Sequence, residues 1–474
     1  MSQQKVHFIG IGGAGMSGLA QILLSRGVAV SGSDLAESAV THRLRALGAR
    51  IYIGHRAAHV EQESPDQVIV SSAVPPVNPE VVAARERGIP IVSRGELLAQ
   101  LVNSRFGIAV AGTHGKTTTT AMIALVLERA GLDPTVAVGG ELKELGGNAK
   151  LGQGPYFVAE ADESDRSFLH LRPRIAVVTN IEADHLENYG STEGIVQAFR
   201  AFVGQVPEDG LVVLGADDPN AASLPPLPCR WVSYGLKGPA DYTAVDVRLA
   251  GLGSRALVLE RGHVLGELEL GVPGVHNIAN ALAAIAVGRH LGLAFSVVAD
   301  ALAGFRGAKR RFELLGEARD ILVVDDYAHH PTEVRATLAA ARQLGRRVVA
   351  VFQPHRYTRT QFLGQELAES FGDADRVVLT DIYAAQERPI PGVTIDRVYQ
   401  AARAAAGEKV SLVRDKEAIP GFLLGITRPG DLVITLGAGD VRRVGEQFLT
   451  LLQADPAMVA HLTPPSREPG GSGQ

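Results

Sequence analysis

Residues 106–127 restrict most sharply what this chain can fold into. An apolar run, Phe106-Gly-Ile-Ala-Val, leads into Ala111-Gly-Thr-His-Gly-Lys-Thr-Thr118, and a helical stretch follows at Thr119-Thr-Ala-Met-Ile. A buried strand that enters a helix through a glycine-turned loop is the βα unit of a parallel sheet. Such a loop turns backbone N–H groups and a helix N-terminus toward an anion, and Lys116 adds a point charge. Gly112 and Gly115 stand closer together than the glycines of the usual triphosphate loop. Gly112, Thr113, His114, Gly115, Lys116, Thr117 and Thr118 are therefore expected to form a tighter phosphate cradle, with Thr117 placed for a magnesium ion.

The same alternation of short apolar runs and helical stretches extends over most of the 474 residues, a length that implies about two to four domains. Net charge is −5, with 20% charged and 46% hydrophobic residues. No basic stretch stands out, which argues against nucleic-acid or anionic-membrane partners. The single cysteine, Cys229, rules out an internal disulfide and suits a reducing cytoplasm. No apolar run approaches the roughly 20 residues of a membrane span, and the N-terminus lacks a signal-peptide pattern. A cytoplasmic protein acting on small molecules is expected.

The expected fold is α/β with three domains. A Rossmann-like domain, 1–104, has strands near 6–11, 28–31, 68–71 and 89–92 and helices near 15–26, 38–47, 79–87 and 94–103. A central P-loop domain, 105–311, adds strands near 156–160, 175–179, 211–214 and 230–234. It continues into an antiparallel patch at 242–249, 255–259 and 264–270, with a turn at 261–263, and a helix at 275–291. A second Rossmann-like domain, 312–456, has strands near 321–325, 347–352, 376–380, 410–412 and 432–436, read as another parallel sheet. The tail 457–474 is expected to be disordered. No internal repeat is present.

Polar groups concentrate where strands end, and in an open parallel sheet ligands bind at the carboxyl ends of strands. Gly10-Ile-Gly12-Gly13-Ala-Gly15 fits a dinucleotide fingerprint, with Asp34 about twenty residues on. Its physics specifies only a pyrophosphate at a helix N-terminus, which a UDP-linked compound supplies as well as NAD does. Glu160, at the end of the 156–160 run, is placed to hold magnesium beside Thr117. Glu163 and Asp165 are open between a ligand role and a solvated loop. His185 follows another strand end and is a candidate for a second metal or for phosphate, although magnesium prefers oxygen ligands. His276 and Asn280 are four apart near a helix start, and the Asn280 amide can pair with an adenine edge or serve a helix cap. Lys309-Arg310-Arg311 offers a cation to a γ-phosphate or an acyl phosphate, or is plain surface basicity. Arg356 and Arg359 suit the carboxylate of an amino acid. Leu436-Gly-Ala-Gly439-Asp440 is a further glycine turn with no ligand assigned.

In order along the chain, Gly112-Thr-His-Gly-Lys-Thr-Thr-Thr119, Glu160-Ala-Asp-Glu-Ser-Asp165, Asn180-Ile-Glu-Ala-Asp-His185, His276-Asn-Ile-Ala-Asn280, Asp325-Asp-Tyr-Ala-His-His-Pro331 and Gln353-Pro-His-Arg-Tyr-Thr-Arg359 resemble the motifs of the Mur ligases of peptidoglycan precursor synthesis. The likeness spans the chain except the tail, and the segment from His7 to Gly18 looks like that of the first enzyme of the series. The resemblance implies an ATP-dependent ligase. The lactyl carboxylate of UDP-N-acetylmuramate would become an acyl phosphate, which the amine of L-alanine would attack. It implies Mg2+, in up to two ions replaceable by Mn2+, on Thr117, Glu160 and His185. It also implies Asn280 at the adenine and Asp326 at the nucleotide ribose. Tyr327, His329, Arg356 and Arg359 would lie around L-alanine and the acyl group, with Lys116, Glu160, His185, His329 and Arg356 in the chemistry and Arg311 toward the nucleotide. Gly10, Gly12, Gly13, Gly15, Asp34, Ser71, Ser72 and Arg94 would bind the UDP-sugar. The expected form is a monomer or homodimer.

One departure supports the first-enzyme type: the helix after Asp184-His185 has no lysine, whereas later enzymes of the series carry a carbamylated one there. The rivals are a muropeptide-recycling ligase that adds a tripeptide to the same UDP-sugar, an NAD-dependent oxidoreductase built on the first domain, and a non-enzymatic P-loop switch.

Overall fold

The computed structural model describes residues 3–71, 73–142 and 147–454, so Ser72 and the expected disordered tail lie outside the described residues. The chain forms two compact units. One comprises the residues up to Arg248 with Arg255–Gly271 and His276–Lys309, and the other Leu249–Ser254, Val272–Val275 and the residues from Arg310 on.

The first unit opens with β1 (Lys5–Ile9), α1 (Ala14–Ser25), β2 (Ala29–Asp34), α2 (Ala39–Ala46), β3 (Arg50–Ile53), α3 (Ala57–Glu63), β4 (Gln67–Val70), α4 (Pro79–Glu86), β5 (Ile91–Ser93) and α5 (Arg94–Asn103). The strands form a parallel sheet in the order β3-β2-β1-β4-β5. The order reverses between β1 and β4, which leaves a crevice at their carboxyl ends, where Gly10–Gly15 and Ser71 lie. Val6, Phe8 and Ile9 of β1 and Met16, Leu19, Ile22 and Leu23 of α1 are buried. The helices start where local chemistry starts them. Ser93 and Glu96 form a reciprocal capping box, and Asn78 caps α4 ahead of Pro79. The sequence reading omits β3 and α3, because β3 is a four-residue edge strand with none of its residues fully buried.

A buried polar cluster underlies this sheet. Glu80, 0% exposed, accepts from the Ser33 hydroxyl at 2.5 Å, His59 Nδ1 at 2.6 Å and the Arg56 N–H at 3.2 Å. His55 and His7 stand 3.5 and 3.6 Å away. Burial pushes the carboxyl up, but the nearby His7 and the hydrogen bonds from Ser33 and His59 outweigh it and bring it down to about 2. A carboxyl whose folded value lies below its unfolded one stabilises above the unfolded value, and that stability is lost as pH falls toward the folded one. Glu80→Gln is therefore expected to cost about 3 kcal/mol at pH 7 and less than half of that at pH 3, measured by denaturant unfolding at both pH values. An equal cost at both would contradict this.

The unit continues with β6 (Phe106–Ala111), α6 (Lys116–Arg129), β7 (Thr135–Leu142), β8 (Gly147–Lys150), β9 (Tyr156–Glu160), β10 (Ile175–Val178), α7 (Leu186–Tyr189), α8 (Thr192–Val203), β11 (Leu211–Gly215), α9 (Pro219–Ala222), β12 (Arg230–Tyr234), β13 (Tyr242–Ala250), β14 (Gly253–Glu260), β15 (His263–Leu270), α10 (Val275–His290) and α11 (Phe295–Ala303). The sheet runs β15-β14-β13-β12-β11-β10-β6-β9-β7-β8. From β7 through β9, β6, β10 and β11 to β12 the pairing is parallel. β13, β14 and β15 are successive neighbours joined by two-residue turns, as antiparallel hairpins are, in keeping with the expected patch. The antiparallel β7–β8 hairpin is not anticipated, because its glycine-interrupted sequence lacks the alternation that marks a strand. Every residue of α6 from Thr117 to Leu127 is buried.

The second unit contains β16 (Glu313–Ala318), β17 (Ile321–Asp326), α12 (Pro331–Arg342), β18 (Arg347–Phe352), α13 (Tyr357–Ala368), β19 (Arg376–Leu379), α14 (Ile395–Ala406), β20 (Val410–Leu412), α15 (Ile419–Ile426), β21 (Asp431–Leu436) and α16 (Arg442–Gln453). The sheet order is β16-β17-β21-β18-β19-β20. It is not wholly parallel, as the sequence suggested: β16 pairs antiparallel with β17 at the edge. The strand period of two sends Val324, Ala350 and Ile434 to one face and Val323, Val349, Val351 and Val433 to the other, each against its own helices. Among the described residues no helix is long and apolar enough to cross a membrane.

Candidate active site

The loop between β6 and α6 is a tight, internally braced cradle. Gly112 has φ +136°, and a Cβ there would collide with Thr179 Oγ1. Gly115 has φ +80°, and a Cβ there would stand 2.7 Å from Asn280 Oδ1. Both conditions demand glycine. The strand end after β10 holds the loop in shape. Asn180 Oδ1 accepts from the His114 N–H at 2.8 Å, while the Thr179 hydroxyl donates to the His114 carbonyl at 2.6 Å. The Glu182 N–H donates to Thr113 Oγ1 at 2.8 Å. Thr118 is buried on the first turn of α6.

Lys116 Nζ donates to the carbonyls of Gly112 and Thr113, at 2.5 and 3.1 Å, and to Glu163 at 2.8–2.9 Å. Glu163 is 5% exposed, so the open choice at this residue resolves against a solvated loop. Burial raises its carboxyl to about 7, against the pull of Lys116. The lysine is itself buried, yet Glu163, Asp162 and Glu160 keep its pKa above the ordinary value. Lys116 is thus a cation held on an acidic neighbour that gives up its charge readily, and an arriving anion can displace that neighbour at little electrostatic cost.

Thr117 Oγ1 lies 2.9 and 3.1 Å from the two Glu160 oxygens, and the Gly139 N–H donates to Glu160 at 2.7 Å. A hydroxyl beside a carboxylate at a helix N-terminus is a hard-oxygen donor set that fits Mg2+. His185, in the left-handed region at φ 54°, immediately precedes α7, its ring 3.6 Å from Asp184 and 3.5 Å from Glu187. The α7 segment is tied to the acidic loop, because Tyr189 Oη donates to the Glu163 carbonyl and Asn188 to that of Ser164.

At the first glycine loop, the Gly12 N–H donates to Asp34 Oδ2 at 2.8 Å, and Oδ1 takes the Leu35 N–H. Gly10 N and Ile11 N donate to the Ser33 carbonyl, and Ser71 stands against Gly10. Gly13 precedes α1 as its N-cap. Arg94, the first residue of α5, lies across Gly15, where a Cβ would stand 2.8 Å from its Cδ. It reaches Asp162 at 3.1 Å and Asp165 at 3.6 Å. Gly15, Arg94, Gly139, Glu160 and Asp162 line one cavity. The structure thus brings Gly15, at the end of the N-terminal glycine loop, and Glu160 onto the same space.

Asn280 is in the second turn of α10, so it is no cap. It accepts from the Thr119 hydroxyl at 3.2 Å and donates to Asn277 at 3.3 Å; a base edge would have to share or replace these bonds. His276, one turn earlier, is exposed.

In the second unit, polar groups gather where β17 and β18 end. Asp326 accepts from the Phe312 N–H at 2.6 Å and the Ala328 N–H at 2.7 Å, and burial raises it to about 6. His330 caps α12 with Pro331 first in the helix and Glu333 completing the box. His329 Nδ1 is 2.9 Å from the Tyr327 carbonyl, so Nδ1 carries the proton and Nε2 the lone pair. Burial, then Arg359, lowers this imidazole to about 3, which keeps it neutral. His355 faces His329 at 5.6 Å and stacks on Tyr383, and Arg359 Nη1 approaches His355 Nδ1 at 3.3 Å. Arg356, at φ 70°, precedes α13, 4.0 Å from Glu387. Arg311 lies over the Tyr327 ring and 3.5 Å from Glu333. Its neighbour Arg310 is engaged within the unit, where it bonds Asp325 and the carbonyls of Gly437 and Gly439. The third glycine turn therefore faces a guanidinium of its own unit with its carbonyls.

Residues that sequence reading passed over are Thr179 and Asn180, which brace the cradle, Gly139 at Glu160, and Glu80. Thr179 and Asn180 could have been found as polar residues at the end of a buried strand. Gly139 and Glu80 carry no such local signal.

Three family descriptions match in succession: "Mur ligase family, catalytic domain" over 5–106, "Mur ligase middle domain" over 110–288 and "Mur ligase, glutamate ligase domain" over 310–439. A UDP-N-acetylmuramate--L-alanine ligase of Pelotomaculum thermopropionicum is 53% identical over 95% of this chain and 98% of its own length. The solved UDP-N-acetylmuramate-alanine ligase of Thermotoga maritima is 35% identical with a TM-score of 0.81, covering 95% of this chain and 99% of its own. A murein peptide ligase of Psychrobacter arcticus follows at 28% identity and a TM-score of 0.70, covering 95% and 98%. With two phosphate-type loops and a bridging acidic cluster in one unit, and these likenesses along its length, the chain belongs to the Mur ligase family.

Proposed function

We propose that this ligase joins L-alanine to the lactyl carboxylate of UDP-N-acetylmuramate at the expense of ATP, in cytoplasmic peptidoglycan precursor synthesis. The observation that carries the reading is the shared cavity, which sets Gly15 and Arg94 beside Glu160 and Asp162. A diphosphate on the first loop then directs the rest of its sugar toward the phosphate-transfer groups. Residues 1–104 bind the UDP-sugar through Gly10, Gly12, Gly13, Gly15, Asp34, Ser71, Ser72 and Arg94. Residues 105–311 bind ATP through the Gly112–Thr118 loop, with His276 and Asn280 toward the base. Residues 312–456 supply Asp326 for the ribose and Tyr327, His329, Arg356 and Arg359 for L-alanine and the acyl group, with Arg311 toward the phosphates.

A lactyl carboxylate oxygen takes the γ-phosphoryl group, giving an acyl phosphate and ADP. The L-alanine amine adds to the acyl carbon, loses a proton, and phosphate leaves as the amide forms. Lys116 and the N–H groups of its loop hold the charge on the transferring phosphoryl oxygens. Thr117 and Glu160, with His185 for a second ion, would hold Mg2+, which supplies charge neutralisation when bound. The neutral His329 ring orients against the Tyr327 carbonyl, and Arg356 and Arg359 suit the amino-acid carboxylate. A monomer or homodimer suffices for this assignment.

Incubation with ATP, UDP-N-acetylmuramate and either L-alanine or the L-alanyl-γ-D-glutamyl-diaminopimelate tripeptide tests the reading. ADP release driven by L-alanine supports it. Release driven by the tripeptide alone would assign the chain to the recycling ligases, and release without any amino acid would make it a switch.

A further inference from the structure

Asn148, on β8, is 3% exposed. Its Nδ2 donates to the Ala14 carbonyl and, at 3.2 Å, lies against the Ser17 hydroxyl, both in the first turn of α1. That carbonyl partner fixes which end of the amide is nitrogen. The other end, Oδ1, is buried with no hydrogen-bond partner among the described residues. Buried acceptors are nearly always paired, and an orphan in a well-formed site calls for a donor from outside the chain. Asn148 also lines the cavity shared by Gly15, Arg94, Gly139, Glu160 and Asp162.

A UDP-sugar with its diphosphate on the Gly10–Gly15 loop and its carboxylate directed to the Thr117–Glu160 pair passes its sugar ring along this cavity. The ring carries donors: an acetamido N–H and free hydroxyls. We propose that Asn148 contacts the substrate, with Oδ1 accepting a hydrogen bond from the N-acetylmuramoyl ring while Nδ2 holds α1 at a fixed distance from it. This rests on the UDP-sugar reading of the first loop.

Asn148→Ala is expected to raise KM for UDP-N-acetylmuramate about tenfold, the loss of one hydrogen bond to bound substrate, with KM for ATP within about twofold of the wild type. Ser17→Ala loosens the tether of the amide and leaves Oδ1 in place; it should leave the UDP-sugar KM within about twofold. An unchanged KM in Asn148→Ala overturns the proposal. So does an equal rise in Ser17→Ala, because the effect would then pass through α1. Should Asn148→Ala not fold, Asn148→Ser, which keeps a small polar group but cannot reach the same donor, is expected to show the same rise. The 4-deoxy and 6-deoxy analogues of the substrate identify the donor. The analogue lacking it binds the wild type more weakly than the parent does and binds Asn148→Ala as the parent does; where both analogues bind the wild type as the parent does, the donor is the acetamido N–H. Calorimetric binding of the UDP-sugar to the wild type separates the two failures. No binding there defeats the reading of the loop, whereas binding with an indifferent Asn148→Ala defeats only this proposal.

Discussion

Lys116→Ala is expected to lower the rate of ligation by about 10³-fold or more, the scale on which removal of a cation or donor from a transferring phosphoryl or acyl group acts. UDP-N-acetylmuramate binding, measured by calorimetry, should stay within about twofold, because the residues proposed for it lie outside the Gly112–Thr118 loop. The substitution leaves Glu163 buried without its cation. That carboxyl already stands near 7, so it takes up a proton at small cost instead of remaining as an isolated buried charge, and the variant should fold. Equal loss of ligation and of UDP-sugar binding would contradict the division of labour between the two loops.

Glu160→Gln is the second large effect. The amide keeps an oxygen for the Gly139 N–H and a partner for the Thr117 hydroxyl, so the end of β9 stays in place. It removes the negative charge that a divalent cation needs. Ligation should fall at least about 100-fold, and the Mg2+ concentration for half-maximal rate should rise steeply. Thermal stability should change little, and the UDP-sugar should still bind. A variant with normal rate and normal Mg2+ dependence would show that Glu160 holds no ion.

Much of this was legible in the sequence because the chemistry sits at strand ends. Lys116, Thr117 and Glu160 each follow or close an apolar run whose length and flanking glycines mark a buried parallel strand. The structure sets Thr117 within bonding distance of Glu160 and Lys116 on Glu163. The same signal located Asp326, His329 and Arg356. Elements without an apolar period escaped: β3 at a sheet edge, the glycine-broken β7–β8 hairpin, and β16, whose antiparallel pairing replaces the wholly parallel sheet expected for the last domain. Contacts between residues far apart in sequence escaped too. Nothing local shows that Glu80 gathers Ser33 and three histidines, that Asn148 meets Ala14, or that Arg310 and not a ligand meets the carbonyls of Gly437 and Gly439. Asn280 shows what spacing leaves out. Four-residue spacing and amide chemistry suggested a group open to a base or a cap, but the fold gives that amide Thr119 and Asn277 as partners.

The two glycine loops serve one reaction only if the lactyl carboxylate itself receives the γ-phosphoryl group. UDP-N-acetylmuramate labelled with 18O in both lactyl carboxylate oxygens, turned over with ATP and L-alanine, tests it by mass spectrometry of the released phosphate. One 18O is expected in each phosphate and one retained in the amide carbonyl. Unlabelled phosphate from a turnover that still forms the amide would contradict it.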